Sequence, residues 1–190
     1  DKTVVVIYVL RATSCMVAGL GSGVASITPV ASVEECEALG AQGYVMAGER
    51  NGEKLPQFHL GNSPFDYMEK SLKGQKIATT TTNGTRALYL SKDAPEVIIG
   101  AFLNLKAVVN HLSKSKRDIL LFCAGWKGKY NLEDSLFAGA VLDGLKKQAE
   151  FDSDAATAAF YLYQSMGKDP YYFISRSNHA KRLSKFGILK

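Results

Sequence analysis

Six short apolar runs suited to β-strands alternate with helix-like stretches along most of this 190-residue chain. No other feature narrows the fold as far, because strands alternating with helices build parallel layered sheets. The runs cover residues 4–10, 26–31, 44–47, 76–82, 97–102 and 119–124. The last, Ile-Leu-Leu-Phe-Cys-Ala, is apolar throughout, the pattern of a strand covered on both faces. Helices are expected after each of the last three runs, over 84–91, 105–113 and 132–148. Ser32-Val33-Glu34-Glu35 carries a capping-box pattern, and Ser63-Pro64 places a cap before a proline at the first helical position. From Asp154 onward the pattern is helical and rich in aromatics (Phe160, Tyr161, Tyr163, Tyr171, Tyr172, Phe173), expected to pack onto the sheet as core. The fold class is therefore α/β with a largely parallel or mixed sheet and a helical C-terminal part.

The junction 79–86, Thr-Thr-Thr-Thr-Asn-Gly-Thr-Arg, gives the first functional hint. β-Branched threonines suit a strand, Asn-Gly is a turn signal, and Ala87-Leu88-Tyr89-Leu90 continues as a helix. Hydroxyls, an amide, helix-start N–H groups and a guanidinium meet there, which is the composition of an anion site.

In open α/β sheets ligands bind beyond the carboxyl ends of the strands, so the residues that follow each run can be compared directly. They are Arg11, Thr13 and Ser14; Glu49, Arg50 and Asn51; Thr82, Asn83, Thr85 and Arg86; Asn104; and Gly125, Gly128, Asn131, Glu133 and Asp134. With parallel strands these groups meet on one rim. Arg11 follows seven apolar residues and opens a helix, a placement that suits a bidentate fork on phosphate or carboxylate. Thr13, Ser14 and Asn104 read equally as helix caps, and capping is the favoured role for Asn104. Glu49 and Asp134 read either as solvated carboxylates or as ligands of a hard cation such as Mg²⁺ beside a substrate phosphate. Asp134 also fits the third helical position behind an Asn131 cap.

Other classes of function find little support. Lys and Arg exceed Asp and Glu by 23 − 18 = 5, but the charge is scattered, apart from His179, Lys181, Arg182, Lys185 and Lys190, read as a solvated helix face. Neither a nucleic acid nor a membrane is expected as partner; a small anionic substrate is, and a homo-oligomer is compatible with the sequence. The run 4–10 is too short to span a bilayer and has no basic segment before it, so cytoplasmic residence is expected. Cys15, Cys36 and Cys123 lack C-x-x-C spacing and sit among apolar neighbours, as buried thiols do. There is no phosphate-binding G-x-x-x-x-G-K-[ST] loop and no G-x-S-x-G elbow. His59, His111 and His179 show no metal-ligand spacing, although His179, near Arg176 and Lys181, could join an anion site. A rim rich in anion donors and poor in reactive thiols favours metal-assisted phosphoryl chemistry.

Seven ordered segments carry a family resemblance: 9–14 (Val-Leu-Arg-Ala-Thr-Ser), 48–52 (Gly-Glu-Arg-Asn-Gly), 61–64 (Gly-Asn-Ser-Pro), 80–87 (Thr-Thr-Thr-Asn-Gly-Thr-Arg-Ala), 99–104 (Ile-Gly-Ala-Phe-Leu-Asn), 123–125 with 132–134 (Cys-Ala-Gly and Leu-Glu-Asp), and 177–183 (Ser-Asn-His-Ala-Lys-Arg-Leu). In these the chain resembles the 2-phosphosulfolactate phosphatases over essentially its whole length. The resemblance implies a single phosphatase-like domain over residues 1–190, a three-layer α/β/α sandwich, and a Mg²⁺-dependent phosphoric monoester hydrolase. The implied substrate is 2-phospho-3-sulfolactate, cleaved to 3-sulfolactate and phosphate in coenzyme M biosynthesis. Its phosphate, carboxylate and sulfonate suit a rim carrying Arg11, Arg50 and Arg86. On this reading Glu49 and Asp134 hold Mg²⁺ and, with Arg11, form the catalytic set. Arg11, Thr13, Ser14, Arg50, Asn51, Thr82, Asn83, Thr85, Arg86 and Asn104 bind substrate.

The sequence departs from the family pattern in two places. Tyr8 stands where the family has an aspartate, two residues before Leu-Arg-Ala-Thr; a phenol is neutral at pH 7 and a poor ligand for a hard metal. The family also has a strand before the position of Asp1 and a segment after that of Lys190. The alternative reading is a catalytically impaired, anion-binding relative of the family.

Overall fold

The computed structural model describes residues 1–167 and 169–185. The chain runs β1 (Lys2–Ile7), α1 (Ala12–Gly21), β2 (Ser26–Pro29), α2 (Val33–Gly40), β3 (Val45–Arg50) and β4 (Glu53–Lys54). There follow α3 (Pro64–Tyr67), β5 (Lys76–Thr80), α4 (Gly84–Ser91), β6 (Glu96–Gly100), α5 (Leu105–Leu112) and β7 (Asp118–Cys123). Four helices complete it: α6 (Leu132–Leu145), α7 (Asp154–Ser165), α8 (Pro170–Ser175) and α9 (Asn178–Lys185).

The strands form two sheets where one was expected. β1 lies between β6 and β7, parallel to both, with Val5 opposite Ile98 and Leu121. The second sheet has the order β2-β5-β3-β4 and is parallel except for the β3–β4 hairpin. Both are covered on two faces, so the layering is α/β/α. In β1, Val5 and Ile7 face α5 and α6 through Val108, Leu112, Phe137 and Val141, while Val4 and Val6 face Ala87 of α4. In the second sheet Ile77 and Ala47 pack against Cys15 of α1 and Tyr67 of α3, and Ala78 packs against Cys36 of α2 and Phe58. Two buried faces explain why these strands read as unbroken apolar runs.

Local chemistry sets several boundaries. The Ser32 hydroxyl accepts from Glu35 N–H at 3.1 Å and starts α2. Ser63 makes no such bond, and only the proline after it marks the start of α3. Helix α6 packs on α7 at Gly139, where a Cβ would overlap the Ala159 carbonyl oxygen. Helix α7, with Phe160, Tyr161 and Tyr163, therefore packs on α6, and Tyr161, Tyr171 and Tyr172 are exposed. Cys15 and Cys36 are buried as expected, and Cys123 is half-buried with its thiol pushed up to about 12 by burial. No described helix is long and apolar enough to cross a membrane.

Candidate active site

The carboxyl ends of β1, β3, β5 and β7 converge on one cavity of about 240 Å³ although they belong to two sheets. A larger groove, about 680 Å³, opens at the amino ends of β1 and β7. The smaller cavity has the location expected of a ligand site and the convergent polar groups.

Its floor is the junction singled out in the sequence. β5 ends at Thr80 and α4 starts at Gly84, with Asn83 as the residue before the helix. The turn is locked by Thr81 and Thr85: Thr85 N–H donates to Thr81 Oγ1 at 3.2 Å, and Thr85 Oγ1 donates to the Thr81 carbonyl at 2.7 Å. Thr82 and Asn83 remain on the cavity wall, at a helix start whose first amides have no intrahelical acceptor. Gly84 is required here, because a Cβ would stand 2.7 Å from Ala12 Cβ and 3.0 Å from Tyr8 Cδ1.

A second wall comes from the β3–β4 hairpin. Asn51 and Gly52 have φ of 57° and 95°, the positive values that a two-residue type I′ turn needs. That turn brings Gly52 N–H to Glu49 Oε2 at 2.7 Å, while Glu49 Oε1 accepts from Thr82 N–H at 3.0 Å. One buried carboxylate thus ties the hairpin to the floor. Arg11 donates to the Gly52 carbonyl at 3.1 Å. Burial lowers its pKa, but guanidinium starts so high that it keeps its charge.

The third wall includes His179 and the turn at Gly128, which the sequence placed near an anion site and on the rim, but Trp126, Lys127 and Arg182 were not expected to line it. Trp126 and Lys129 pair across a tight turn in which Lys127 (φ 50°) and Gly128 (φ 73°) both take positive φ. Lys127 N–H donates to Asn83 Oδ1 at 3.1 Å, fixing this turn to the floor. Helix α9 then closes the cavity with His179, Arg182 and Leu183. The Arg182 guanidinium lies 3.7 Å from the Trp126 ring centroid. The C-terminal cluster is therefore not simply a solvated face: Lys181 and Lys185 are exposed, but His179 is buried and Arg182 lines the cavity. Lys190 lies outside the described residues. The helical moment of α9, alternating buried His179, Ala180 and Leu183 with exposed lysines, was the available signal.

Behind the cavity lies a buried acidic pair. Asp134 Oδ1 accepts from Val9 N–H at 2.9 Å and Oδ2 from Gly125 N–H at 3.1 Å, so it clamps the exits of β1 and β7. Desolvation, and then neighbouring Glu133, raises its pKa to about 7. Glu133 is wholly buried, and its Oε1 lies 3.0 Å from Nδ1 of His179. The Asn131 amide approaches the same Nδ1 at 3.3 Å. Neither oxygen of the buried Glu133 carboxylate has a hydrogen-bond partner among the described residues, so its approach to His179 is a close charge contact and not an aligned hydrogen bond. His179 Nε2 has no protein partner among the described residues.

The residues expected at the site divide accordingly. Arg11, Glu49, Asn51, Thr82 and Asn83 line the cavity. Thr13 bridges strand ends, donating to the Gly100 carbonyl at 2.8 Å, and Ser14 donates to the Val9 carbonyl at 2.6 Å. Arg50 holds the Glu49 carbonyl at 2.8 Å and Thr80 Oγ1 at 3.3 Å, and Asn104 braces the turn after β6 through Ala101 N–H and the Ile99 carbonyl. Thr85 is spent in the floor lock, Arg86 is exposed, and Asp134 stands behind the lining residues. Tyr8 is on the wall, buried, with its hydroxyl accepting from Asn83 Nδ2 at 3.3 Å. Burial raises its pKa above the ordinary phenol value, so it is neutral.

The described residues contain no group of three or more His, Cys, Asp or Glu side chains placed to hold a metal. A hard dication such as Mg²⁺ needs only one or two carboxylates when substrate oxygens and waters complete its shell. Glu49 on the wall supplies one, and Asn62, also on the wall, has a buried Oδ1 with no hydrogen-bond partner. These two oxygens fit such an ion.

A family profile described as 2-phosphosulpholactate phosphatase matches residues 1–190. A "Probable 2-phosphosulfolactate phosphatase" of Caldanaerobacter subterraneus subsp. tengcongensis is 41% identical over 192 residues, covering 98% of this chain and 80% of that protein. Proteins of the same name from Thermotoga petrophila and Clostridium novyi are 43% and 35% identical, and the chain covers 82% and 81% of their lengths. The chain belongs to the 2-phosphosulpholactate phosphatase family.

Proposed function

We propose that this protein is a Mg²⁺-dependent phosphatase that hydrolyses 2-phospho-3-sulfolactate to 3-sulfolactate and phosphate. One observation carries the reading: a cavity at the strand ends brings the cations Arg11, Lys127 and Arg182 together with a single wall carboxylate, Glu49. Family membership supports a phosphatase and names the substrate.

The phosphate lies on the α4 floor, against Thr82, Asn83 and the Arg11 guanidinium, where helix-start amides and a fixed cation favour dianions. Glu49 and the Asn62 amide oxygen would hold Mg²⁺, which when bound neutralises charge on the phosphoryl oxygens. In the net reaction water adds to phosphorus, the bond to the C2 oxygen breaks, and that oxygen leaves with a proton. His179, buried beside Asn131 and Glu133, is the cavity group suited to move that proton. Asp134 positions the loops that carry Val9 and Gly125. Phosphate release from 2-phospho-3-sulfolactate, with Mg²⁺ and with chelator, tests the reading; no release above background in either condition sinks it.

Tyr8 favours a second reading, an anion-binding relative in which the chemistry is impaired. Its neutral, buried phenol occupies the end of β1 beside Asn83 and within 5.8 Å, ring to ring, of His179. Assaying Tyr8→Asp beside the unaltered chain separates the two. Activity only in the variant supports the binding protein, and activity in the unaltered chain supports the enzyme.

A further inference from the structure

The cavity holds more cationic character than a phosphate alone requires, and one of its cations is built differently from the others. Arg182 lies with its guanidinium carbon 3.7 Å from the centroid of the Trp126 ring, and Lys127 Nζ lies 5.1 Å from that centroid. Among the described residues, neither Arg182 nor Lys127 has a carboxylate within ion-pair distance. The backbone that carries the indole is fixed by its own turn, in which Trp126 N–H and Lys129 N–H exchange bonds with the opposing carbonyls at 3.0 and 2.9 Å. That turn is in turn fixed to the floor through Asn83. A guanidinium resting on a fixed aromatic face has lost its conformational freedom in advance, and its edge N–H groups remain free. This is how an anion reader is preorganised.

We propose that Arg182, stacked on Trp126 and assisted by Lys127, is the specificity-determining arm of the site and binds the sulfonate of the substrate. The inference rests on the proposed substrate. Phosphate takes the α4 floor with Arg11, which leaves the acid groups at the other end of the molecule for α9 and the β7–α6 turn. A sulfonate is a weakly hydrated anion with three equivalent oxygens. It matches a weakly hydrated guanidinium on an aromatic face better than a compact, strongly hydrated ammonium. Arg182 does not touch the bond that breaks, so it governs which phosphorylated hydroxy acid is held and not how fast the phosphoryl group leaves.

The test is calorimetric titration of 3-sulfolactate and, separately, of inorganic phosphate into the unaltered chain, Arg182→Ala and Arg182→Lys. Loss of charge-assisted bonds to the sulfonate corresponds to about 10- to 100-fold weaker sulfolactate binding in Arg182→Ala, with phosphate affinity held within about twofold. Arg182→Lys keeps the charge and the helix but loses the planar fork, so sulfolactate weakens by about 3- to 10-fold. Unchanged phosphate binding in each variant doubles as the check that the cavity is intact. The proposal is overturned if sulfolactate does not bind the unaltered chain, if Arg182→Lys and Arg182→Ala bind it normally, or if Arg182→Lys weakens both ligands equally. Failure of the phosphatase reading shows elsewhere, as absent phosphate release, and leaves these titrations decisive.

Discussion

Glu49→Gln is the substitution that most directly tests how the cavity is assembled. Glu49 is 5% exposed and accepts from two backbone amides, Gly52 at 2.7 Å and Thr82 at 3.0 Å, which belong to two different loops. Hydrogen bonds to a charged partner contribute about 1.5–3 kcal/mol each. Glutamine keeps the shape and one acceptor, but its NH₂ must face one of the two amides, leaving a buried donor unpaired at about 1–3 kcal/mol. The remaining bond becomes neutral and weaker, and the Arg11 charge loses its nearby carboxylate. The sum is a destabilisation of about 2–4 kcal/mol, which at a urea m-value of about 2 kcal/mol/M lowers the midpoint by about 1–2 M. The assay is equilibrium urea unfolding in chelator, repeated with Mg²⁺. A ligand at about 100 times its dissociation constant adds about 2.7 kcal/mol to the stability of the folded state. Mg²⁺ should therefore raise the midpoint of the unaltered chain and leave Glu49→Gln unmoved. A midpoint in chelator within about 0.3 M of the unaltered chain would refute the claim that this carboxylate joins the two loops.

Three further outcomes follow from the packing and the charges. The folded-state pKa of Asp134, about 7, lies above its ordinary value, so its contribution to stability is full below about 4 and is lost as pH rises through about 7. Asp134→Asn should flatten that part of the urea midpoint against pH; an unaltered slope would show that another group titrates there. Gly139→Ala forces α7 away from α6 at the Ala159 carbonyl and should lower stability by at least about 1–3 kcal/mol, read as a fall in Tm. Gly84→Ala crowds Ala12 and Tyr8 at the cavity floor and should weaken phosphate binding at least as markedly as it lowers Tm, a prediction that wild-type affinity in calorimetry would end.

Much of this arrangement is legible in the chain. The boundaries of α4 follow from Asn83-Gly84 and the apolar stretch after it, and the double-sided burial of β1 and β7 follows from their unbroken apolar runs. Arg11, Asn51, Thr82 and Asn83 reach the cavity because each lies in the turn that follows a strand, and Glu49 because it stands at the end of β3. Thr13, Ser14, Thr85 and Asn104 follow strands too, but their short side chains bond to the nearest backbone, as such residues do at turns. Strand-end position selects both kinds, and only the acceptor within reach separates them. Trp126 and Lys127 also follow a strand but were not singled out, and Arg182 was read as part of a solvated face; its place at the cavity depends on Trp126, distant in sequence.

By itself the sequence determined the layered α/β class, the order of strands and helices, and a set of anion donors at strand ends, because periodicity and turn chemistry act over a few residues. Only the tertiary structure decided that the strands form two sheets and that one cavity draws on both. It also turned the basic C-terminal helix inward, setting His179 on the buried Glu133 and Arg182 on Trp126. Those choices rest on contacts between residues some fifty positions apart, whose energies come from burial and charge pairing in three dimensions, and no local pattern encodes them.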